Sequence, residues 1–332
     1  MLKSSSTELW GCYDLAMLDL DGVVYIGPDS VPGAASHLAA AAAAGMKLAY
    51  VTNNASRPPR AVAAHLTELG VPAQAADVVT SAQAAARLLA AELPSGAAVF
   101  VIGGLGLVEA LQEEGLRPVQ SSAEEPLAVV SGYSADVPWR TVAEGAILVE
   151  RGLPWVASNT DMSVPTPQGR GPGNGVLVEA VASFAGRRPI VAGKPLAPLF
   201  EETRRRVGGA RPLVVGDRLD TDIEGAHNAE LDSLLVLTGV TGVTELVTAT
   251  PEQRPSYISA DLEGLGAVHT APERTPAGAR LRNWCATVVG GSLRVEGTGK
   301  HEDWWRVVAT AAWGHLDDTG QRVDTSGIEV PR

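Results

Sequence analysis

Short apolar segments alternate with helix-forming segments along this chain, and that alternation predicts an α/β fold. Residues 15–18 are apolar, residues 34–44 are rich in alanine and are followed by Gly45, and residues 47–51 are apolar again after Lys47. A strand, a helix and a strand within about 35 residues form a βαβ unit, whose two strands are parallel. Further strands are predicted at residues 98–102, 127–131, 155–158, 190–192 and 213–215, and the last strand of the sheet is predicted at 233–237. The pattern therefore predicts a protein built on parallel sheet.

Two acidic residues, Asp19 and Asp21, follow the first predicted strand, and Gly22 ends it. Ligands of open α/β sheets bind at the carboxyl ends of the strands, where these acids lie. Side chains alternate along a strand, so the two acids face the same side if the strand continues to residue 21. Two neighbouring carboxylates repel, which favours a bound cation or a proton held for chemistry. A surface turn is the alternative for such a tetrapeptide alone.

Three other predicted strands end in polar residues, which are Thr52, Asn53 and Asn54, then Lys194, then Asp217 and Asp222. Hydroxyl and amide groups bind phosphoryl oxygens, an ammonium group neutralises their charge, and carboxylates bind a hard cation such as Mg²⁺. Asp19 is then a candidate nucleophile and Asp21 a candidate general acid and base. The asparagines are also typical of turns, and Asp222 is also a candidate N-cap for a helix at 223–229.

Composition excludes several classes of protein. The 332 residues allow about two domains and a tail, and 45% hydrophobic residues indicate a substantial core. A net charge of −12 argues against nucleic-acid binding. Cys12 and Cys285 are too few for a disulfide framework, which favours the cytoplasm. The apolar run at 38–44 is too short to span a membrane.

The glycines at 103–106 resemble part of a dinucleotide-binding turn, so a dinucleotide-dependent oxidoreductase is an alternative function. It is a weak one, because the third glycine of that motif is missing.

The sequence changes character after about residue 270. Pro272 and Pro276 suggest a linker, followed by strands at 284–289 and 293–295 and a helix at 302–313. Such a short, tryptophan-rich segment is marginal as an independent fold, so we expect it to dock on the main body or on a second subunit. It also raises an alternative function, a ligand-sensing or scaffolding protein that acts through this extension.

Four segments together carry a resemblance to a known family. The segments are DLDGV at 19–23, VTNN at 51–54, GKP at 193–195 and GDRLDTD at 216–222. In order and form they resemble the four motifs of the haloacid dehalogenase (HAD) superfamily, subfamily IIA, which contains the NagD-like and 4-nitrophenylphosphatase-type phosphatases. The similarity covers about residues 14–265, and the region after 270 departs from the family pattern.

The resemblance implies a Rossmann-like α/β core with a large α/β cap inserted between the second and third motifs. The segment between Asp19 and Thr52 is too short for a cap, whereas the one between Thr52 and Lys194 has room for it. We therefore expect core at 1–84 and 189–269, cap at 85–188, and a small α+β extension at 270–332.

The resemblance also implies roles for single residues. Asp19 would attack phosphorus to form an aspartyl-phosphate, and Asp21 would protonate the leaving alcohol and then activate water. Mg²⁺ would be bound by the Asp19 carboxylate, the Asp21 carbonyl and Asp217, with Asp222 close by. The expected phosphate-binding residues are Thr52, Asn53, Asn54 and Lys194. The expected cap residues for substrate selection are Asn159, Thr160, Asp161 and Asn174, and a loop held together by its own side chains is the alternative for these.

A built-in cap implies a small phosphorylated metabolite as substrate. Glycerol 3-phosphate is the first expectation, because the opening motifs read most like those of the glycerol 3-phosphate and phosphoglycolate phosphatases. Phosphoglycolate, pyridoxal phosphate, a sugar phosphate and a nucleotide monophosphate are the alternatives. A homodimer is compatible with the resemblance, since caps of this kind often pair.

Overall fold

The computed structural model describes residues 1–166 and 168–331. The strands are β1 (Leu15–Leu18), β2 (Tyr25–Ile26), β3 (Asp29–Ser30), β4 (Lys47–Thr52), β5 (Val78–Thr80), β6 (Ala98–Ile102), β7 (Arg117–Val119), β8 (Ala128–Ser131), β9 (Trp155–Ala157), β10 (Ser163–Thr166), β11 (Gly169–Pro172), β12 (Ile190–Val191), β13 (Pro212–Gly216), β14 (Asp232–Val236), β15 (Tyr257–Ser259), β16 (Glu273–Thr275), β17 (Gly278–Leu281), β18 (Trp284–Val289) and β19 (Ser292–Glu296). The helices are α1 (Leu9–Cys12), α2 (Ala34–Ala43), α3 (Pro59–Glu68), α4 (Ser81–Glu92), α5 (Leu105–Glu113), α6 (Trp139–Glu150), α7 (Asn174–Ala185), α8 (Pro198–Val207), α9 (Glu224–Asn228), α10 (Val243–Val247) and α11 (His301–Thr319).

Internal contacts divide the chain into two compact units. Unit 1 comprises Met1–Leu48, Leu69–Val71 and Gly209–Arg332, and unit 2 comprises Ala49–Glu68 and Pro72–Gly208. The predicted cap at 85–188 falls within unit 2. The predicted boundaries of core and cap stay predictions.

Unit 1 is built on parallel strands in the order β15-β14-β13-β1. Their register pairs Leu18 with Val215, and Gly216 with Leu235. β1 and β13 are buried along their whole length, which explains why they are continuous apolar runs rather than alternating ones. The prediction of parallel sheet is confirmed. The prediction that 233–237 is the last strand of the sheet is wrong, because β15 pairs with β14.

The C-terminal extension is part of unit 1. β16 to β19 form an antiparallel sheet, and α11 packs on it as well as on α10 and β15. α11 is consequently buried on all sides from Asp303 to Gly314, not along a single stripe. Its tryptophans share a core cluster with Leu235, Leu246 and Ile258. The prediction that the extension docks on the main body is thus confirmed, whereas the linker predicted at its start is wrong, since β16 and β17 lie there.

Two charged residues of α11, Asp303 and Arg306, are buried and hydrogen-bonded to each other. The Arg306 guanidinium donates to the Ile258 carbonyl, to Asp303 Oδ1 and to His269 Nδ1, at distances of 2.9 to 3.1 Å. His269 Nε2 lies 2.9 Å from the Gly264 carbonyl, which only accepts, so the imidazole is neutral with its proton on Nε2. Burial, aided by the charge of Arg306, lowers the pKa of His269 to about 4.

This histidine predicts a pH dependence of stability. In the unfolded chain His269 binds a proton below its usual pKa of 6.5, whereas in the folded chain it stays neutral down to about pH 4. The free energy of unfolding should therefore fall by about 3 kcal/mol as the pH drops through that window. Urea unfolding from pH 7 to pH 4.5 should show a smaller decline for His269→Gln than for the wild type. His227→Gln, at an exposed histidine, should follow the wild type. An identical decline in all three proteins would contradict this role of His269.

Unit 2 contains the parallel pair β4-β5 and a five-stranded sheet of order β12-β9-β8-β6-β7. All pairings in the five-stranded sheet are parallel. α6 and α7 pack together over this sheet and bury a core cluster that includes Phe100, Val129 and Trp155. The prolines and glycines of residues 164–175 predict an irregular loop. The structure instead has the antiparallel hairpin β10-β11 over most of this segment, and Pro167 lies outside the described residues. Within the described chain, no helix is both long and apolar enough to cross a membrane.

Candidate active site

The register of two strands brings Asp19 and Asp217 together in unit 1. Leu18 pairs with Val215, and the Asp19 N–H donates to the Val215 carbonyl at 2.8 Å. Asp19 therefore lies at the carboxyl end of β1, and Asp217 follows the end of the adjacent β13. Both predicted positions are confirmed. β1 ends at Leu18, so the alternation argument that linked Asp19 to Asp21 does not apply.

A tight turn places Asp222 beside the end of the same strand. Residues Leu219–Ile223 form a turn of π-helix, and Asp222 Oδ2 accepts a hydrogen bond from the Arg218 N–H at 3.2 Å. The carboxylate lies so close to Gly216 that a side chain at that glycine would overlap it. Asp222 is not the N-cap of α9, which is Ile223, so that alternative is wrong.

Asp19, Asp217 and Asp222 each offer a carboxylate oxygen, and these oxygens lie within 4.8 Å of one another. Asp217 is 1% exposed and Asp222 is fully buried. Burying clustered carboxylates in a region of low dielectric is unfavourable without a counter-charge, and all-oxygen ligands suit a hard divalent cation. The residues present therefore fit Mg²⁺.

Glycines line this cluster. A side chain at Gly22, where φ is +84°, would bring its Cβ within 2.5 Å of Asp217 Oδ2, and one at Gly239 would overlap the same carboxylate. Gly22 thus both permits a left-handed turn and leaves room for the carboxylate.

The loop that follows β14 was missed by sequence reasoning. The Val240 N–H donates to Asp217 Oδ2 at 2.7 Å, and Thr241 Oγ1 donates to the Asp217 carbonyl at 2.6 Å. Thr238 Oγ1 donates to the Gly22 carbonyl at 2.5 Å. The signal that could have indicated this loop is the run TGVTG at 238–242 directly after a strand.

Charged neighbours of the cluster have different roles. Burial lowers the pKa of Arg218, but its hydrogen bonds to Asp220 and the charges of Asp222 and Asp217 together raise it above its usual value. Asp220 is exposed and pairs with Arg218 at 2.8 Å, outside the carboxylate cluster. Asp21 is exposed, so it is accessible to solvent.

A second set of predicted residues meets in unit 2, around Asn53 at the end of β4. Its side-chain Oδ1 accepts from the Lys194 N–H at 2.8 Å, and its Nδ2 donates to the Lys194 carbonyl at 3.1 Å. Nδ2 also donates to both carboxylate oxygens of Asp161 at 3.2 Å. Lys194 is buried. The structure therefore brings Asn53, Asp161 and Lys194 together.

Thr52 and Asn54 form the turn that follows β4. Thr52 is buried, and its Oγ1 accepts from the Asn54 N–H at 3.1 Å. Asn54 Oδ1 accepts from the N–H and the hydroxyl of Ser56 at 2.9 and 2.7 Å. Asn54 therefore has the turn-forming role that asparagine often has, and its phosphate-binding role stays a prediction.

The four predicted cap residues differ in their surroundings. Asn159 Nδ2 donates to the Asn53 carbonyl and Asn174 Nδ2 to the Asn159 carbonyl, each at 2.7 Å. Asn159 and Asn174 are buried, so their side chains hold the loop together. Thr160 is exposed and Asp161 half-buried. Contact of any of these residues with a substrate stays a prediction.

The chain is similar in sequence and in structure to known proteins. Residues 16–117 match the model of the haloacid dehalogenase-like hydrolase family, and residues 191–265 match a HAD-hydrolase-like model. The chain is 42% identical to the D-glycerol 3-phosphate phosphatase of Mycobacterium tuberculosis, over 94% of this chain and 88% of that protein. It is 35% identical to an acid sugar phosphatase of Staphylococcus saprophyticus, over 75% of this chain and 95% of that one. A crystal structure of glycerol phosphate phosphatase from M. tuberculosis in complex with magnesium is similar with a TM-score of 0.85 and 42% identity, covering 93% of this chain and 92% of that one.

Proposed function

Since this chain belongs to the haloacid dehalogenase-like hydrolases and is a phosphatase, we propose that it hydrolyses glycerol 3-phosphate through an aspartyl-phosphate on Asp19. The observation that carries the proposal is the carboxylate cluster of Asp19, Asp217 and Asp222 at the ends of two adjacent strands. The similarity to a glycerol 3-phosphate phosphatase, which covers 94% of this chain, supports the choice of substrate.

The proposed reaction has two steps. The Asp19 carboxylate attacks phosphorus, the bond from phosphorus to the ester oxygen breaks, and Asp21 donates a proton to the departing alcohol. A water molecule then attacks phosphorus, Asp21 takes its proton, and phosphate leaves with Asp19 regenerated. The exposure of Asp21 suits proton exchange with a leaving group and with water.

Asp19, Asp217 and Asp222 would hold Mg²⁺, together with the carbonyl of Asp21. Bound there, Mg²⁺ would supply positive charge that offsets the repulsion between the attacking carboxylate and the phosphate dianion. Thr52, Asn54 and Lys194 would bind the transferring phosphoryl group, Lys194 through its ammonium group, and Asn53 would contribute to this phosphate site beside Lys194. The cap residues Asn159, Thr160, Asp161 and Asn174 would act in substrate selection.

The substrate proposal is tested by measuring phosphate release from a panel of phosphate esters. We expect the highest kcat/KM for glycerol 3-phosphate, with lower values for phosphoglycolate, pyridoxal phosphate and nucleotide monophosphates. A sugar phosphate is the second candidate, because an acid sugar phosphatase is 35% identical to this chain. Higher kcat/KM for any other ester in the panel would overturn the choice of glycerol 3-phosphate without affecting the assignment as a phosphatase.

Removing one carboxylate of the cluster should weaken magnesium binding. Asp217→Asn keeps the size of the side chain but removes a charge, so we expect a rise in the Mg²⁺ concentration for half-maximal activity. The rise should at least match the ~10–100-fold that is typical for loss of an outer-shell partner. Calorimetric titration with Mg²⁺ alone provides a second measurement. Asp220→Asn is the matched control, because Asp220 is exposed in the same turn. Equal Mg²⁺ affinity in the two variants would contradict the assignment.

Two further expectations belong to this proposal. A cytoplasmic location is supported by Cys12 and Cys285, which are both free thiols. A homodimer stays a prediction, which the mass in solution measures directly.

A further inference from the structure

The Asn53 carboxamide makes two hydrogen bonds to the backbone of Lys194. Its oxygen accepts from the Lys194 N–H at 2.8 Å, and its Nδ2 donates to the Lys194 carbonyl at 3.1 Å. Two hydrogen bonds to the same residue fix both the position and the orientation of the main chain that carries the ammonium group. Gly193 makes this close approach feasible, since a side chain there would bring its Cβ to 2.5 Å from Asn53 Oδ1.

The same asparagine holds the loop that follows β9. Its Nδ2 donates to the Asp161 carboxylate at 3.2 Å, and its main-chain carbonyl accepts from Asn159 Nδ2 at 2.7 Å. Ser81, at the start of α4, donates to that carbonyl at 2.6 Å. Three segments that are distant in sequence therefore converge on one side chain and its peptide.

We propose that Asn53 is a positioning residue, which places Lys194 for phosphate binding and couples that placement to Asp161. The inference rests on the proposed function, in which Lys194 binds the phosphoryl group. Both amide hydrogens of Asn53 are engaged with Lys194 and Asp161, so this side chain acts through the lysine. A displacement of about 1 Å in a group that binds the reacting centre can lower the rate ~100-fold.

Asn53→Ala removes both hydrogen bonds to the Lys194 backbone and so tests the proposal. We expect kcat/KM to fall ~10–100-fold, and by the same factor for 4-nitrophenyl phosphate and glycerol 3-phosphate, because Lys194 binds the group that both esters share. The Kd for inorganic phosphate should rise in parallel. Asn53→Asp is nearly isosteric, keeps an acceptor for the Lys194 N–H, and places a carboxylate against Asp161, so it should lose at least as much. Asn283→Ala, at an exposed asparagine of unit 1, is the matched control.

Coupling to Asp161 is tested by a double-mutant cycle of Asn53→Ala and Asp161→Ala, read as the Kd for inorganic phosphate. If Asp161 acts through Asn53, the double variant should bind phosphate no more weakly than Asn53→Ala alone. Effects that multiply would overturn the coupling.

Wild-type phosphate binding by both Asn53 variants, or a lower thermal unfolding midpoint with unchanged kcat/KM, would overturn the positioning role. The wild-type enzyme separates this outcome from failure of the proposed function. If it hydrolyses phosphate esters while the Asn53 variants match Asn283→Ala, only the positioning role fails.

Discussion

Replacement of Asp19 by asparagine is expected to lower the rate of phosphate release by at least ~1,000-fold, because an amide cannot attack phosphorus. The effect should appear in kcat for every ester tested, since the nucleophile acts on the group that all of them share. Asparagine has nearly the same shape as aspartate, and the Asp19 N–H should keep its bond to the Val215 carbonyl. We therefore expect an unchanged circular dichroism spectrum.

Asp29→Asn is the control for the Asp19 variant, because Asp29 is an exposed aspartate of the same unit. It should retain wild-type rates with 4-nitrophenyl phosphate. A second test uses the wild-type enzyme in EDTA, where activity should disappear. Wild-type activity in the Asp19 variant would eliminate the aspartyl-phosphate mechanism, and full activity in EDTA would eliminate the role of Mg²⁺.

Truncation of Trp313 to alanine is expected to lower the free energy of unfolding by about 3–5 kcal/mol. The indole is fully buried in the core cluster beneath the C-terminal sheet, and its Nε1 donates to the Leu246 carbonyl at 2.7 Å. The Arg254 guanidinium stacks over its ring at 5.4 Å and pairs with Asp317. The variant thus loses apolar contacts, a cation–π interaction and a buried hydrogen bond together. Urea unfolding measures the change.

Trp139→Ala provides the matched control, since that tryptophan is 74% exposed. It should change the free energy of unfolding by less than about 0.5 kcal/mol, as surface substitutions usually do.

Deletion of residues 271–332 should abolish cooperative unfolding of unit 1, because it would expose Leu235, Leu246 and Ile258. A truncated chain that folds and turns over substrate normally would show that the extension has a separate binding role or none.

Several elements of the site were predictable because they follow local rules. An apolar run, two acids and a glycine predict a strand end with carboxylates, and the structure places Asp19 directly after β1. The turn at 216–222 contains three aspartates, and the family resemblance selects Asp217 and Asp222. The structure brings these two together with Asp19 and leaves Asp220 exposed. The strand β6 also has the predicted bounds, residues 98–102.

Other features depend on contacts between distant segments. Gly239 and Val240 contact Asp217 only because β14 lies next to β13. The interpretation of residues around Pro272 as a linker failed because three of them pair with β17 as the short edge strand β16, for which a local pattern is weak. The contacts of the Asn53 amide with Lys194 and Asp161 also depend on distant segments, since an asparagine after a strand has the same sequence signal whether its amide faces a ligand or a neighbouring backbone.

The alternation of strands and helices and the acids at strand ends were determined by the sequence alone, because periodicity and residue chemistry are local, and the family resemblance added the type of reaction. The tertiary structure alone decided that α11 is buried on all sides, that the Thr238–Thr241 loop encloses a carboxylate, and that Asn53 holds Lys194. These arrangements depend on which segments become neighbours. Long-range packing decides this, because the loop-closure entropy that opposes it is modest, and no periodicity in the sequence reports the outcome.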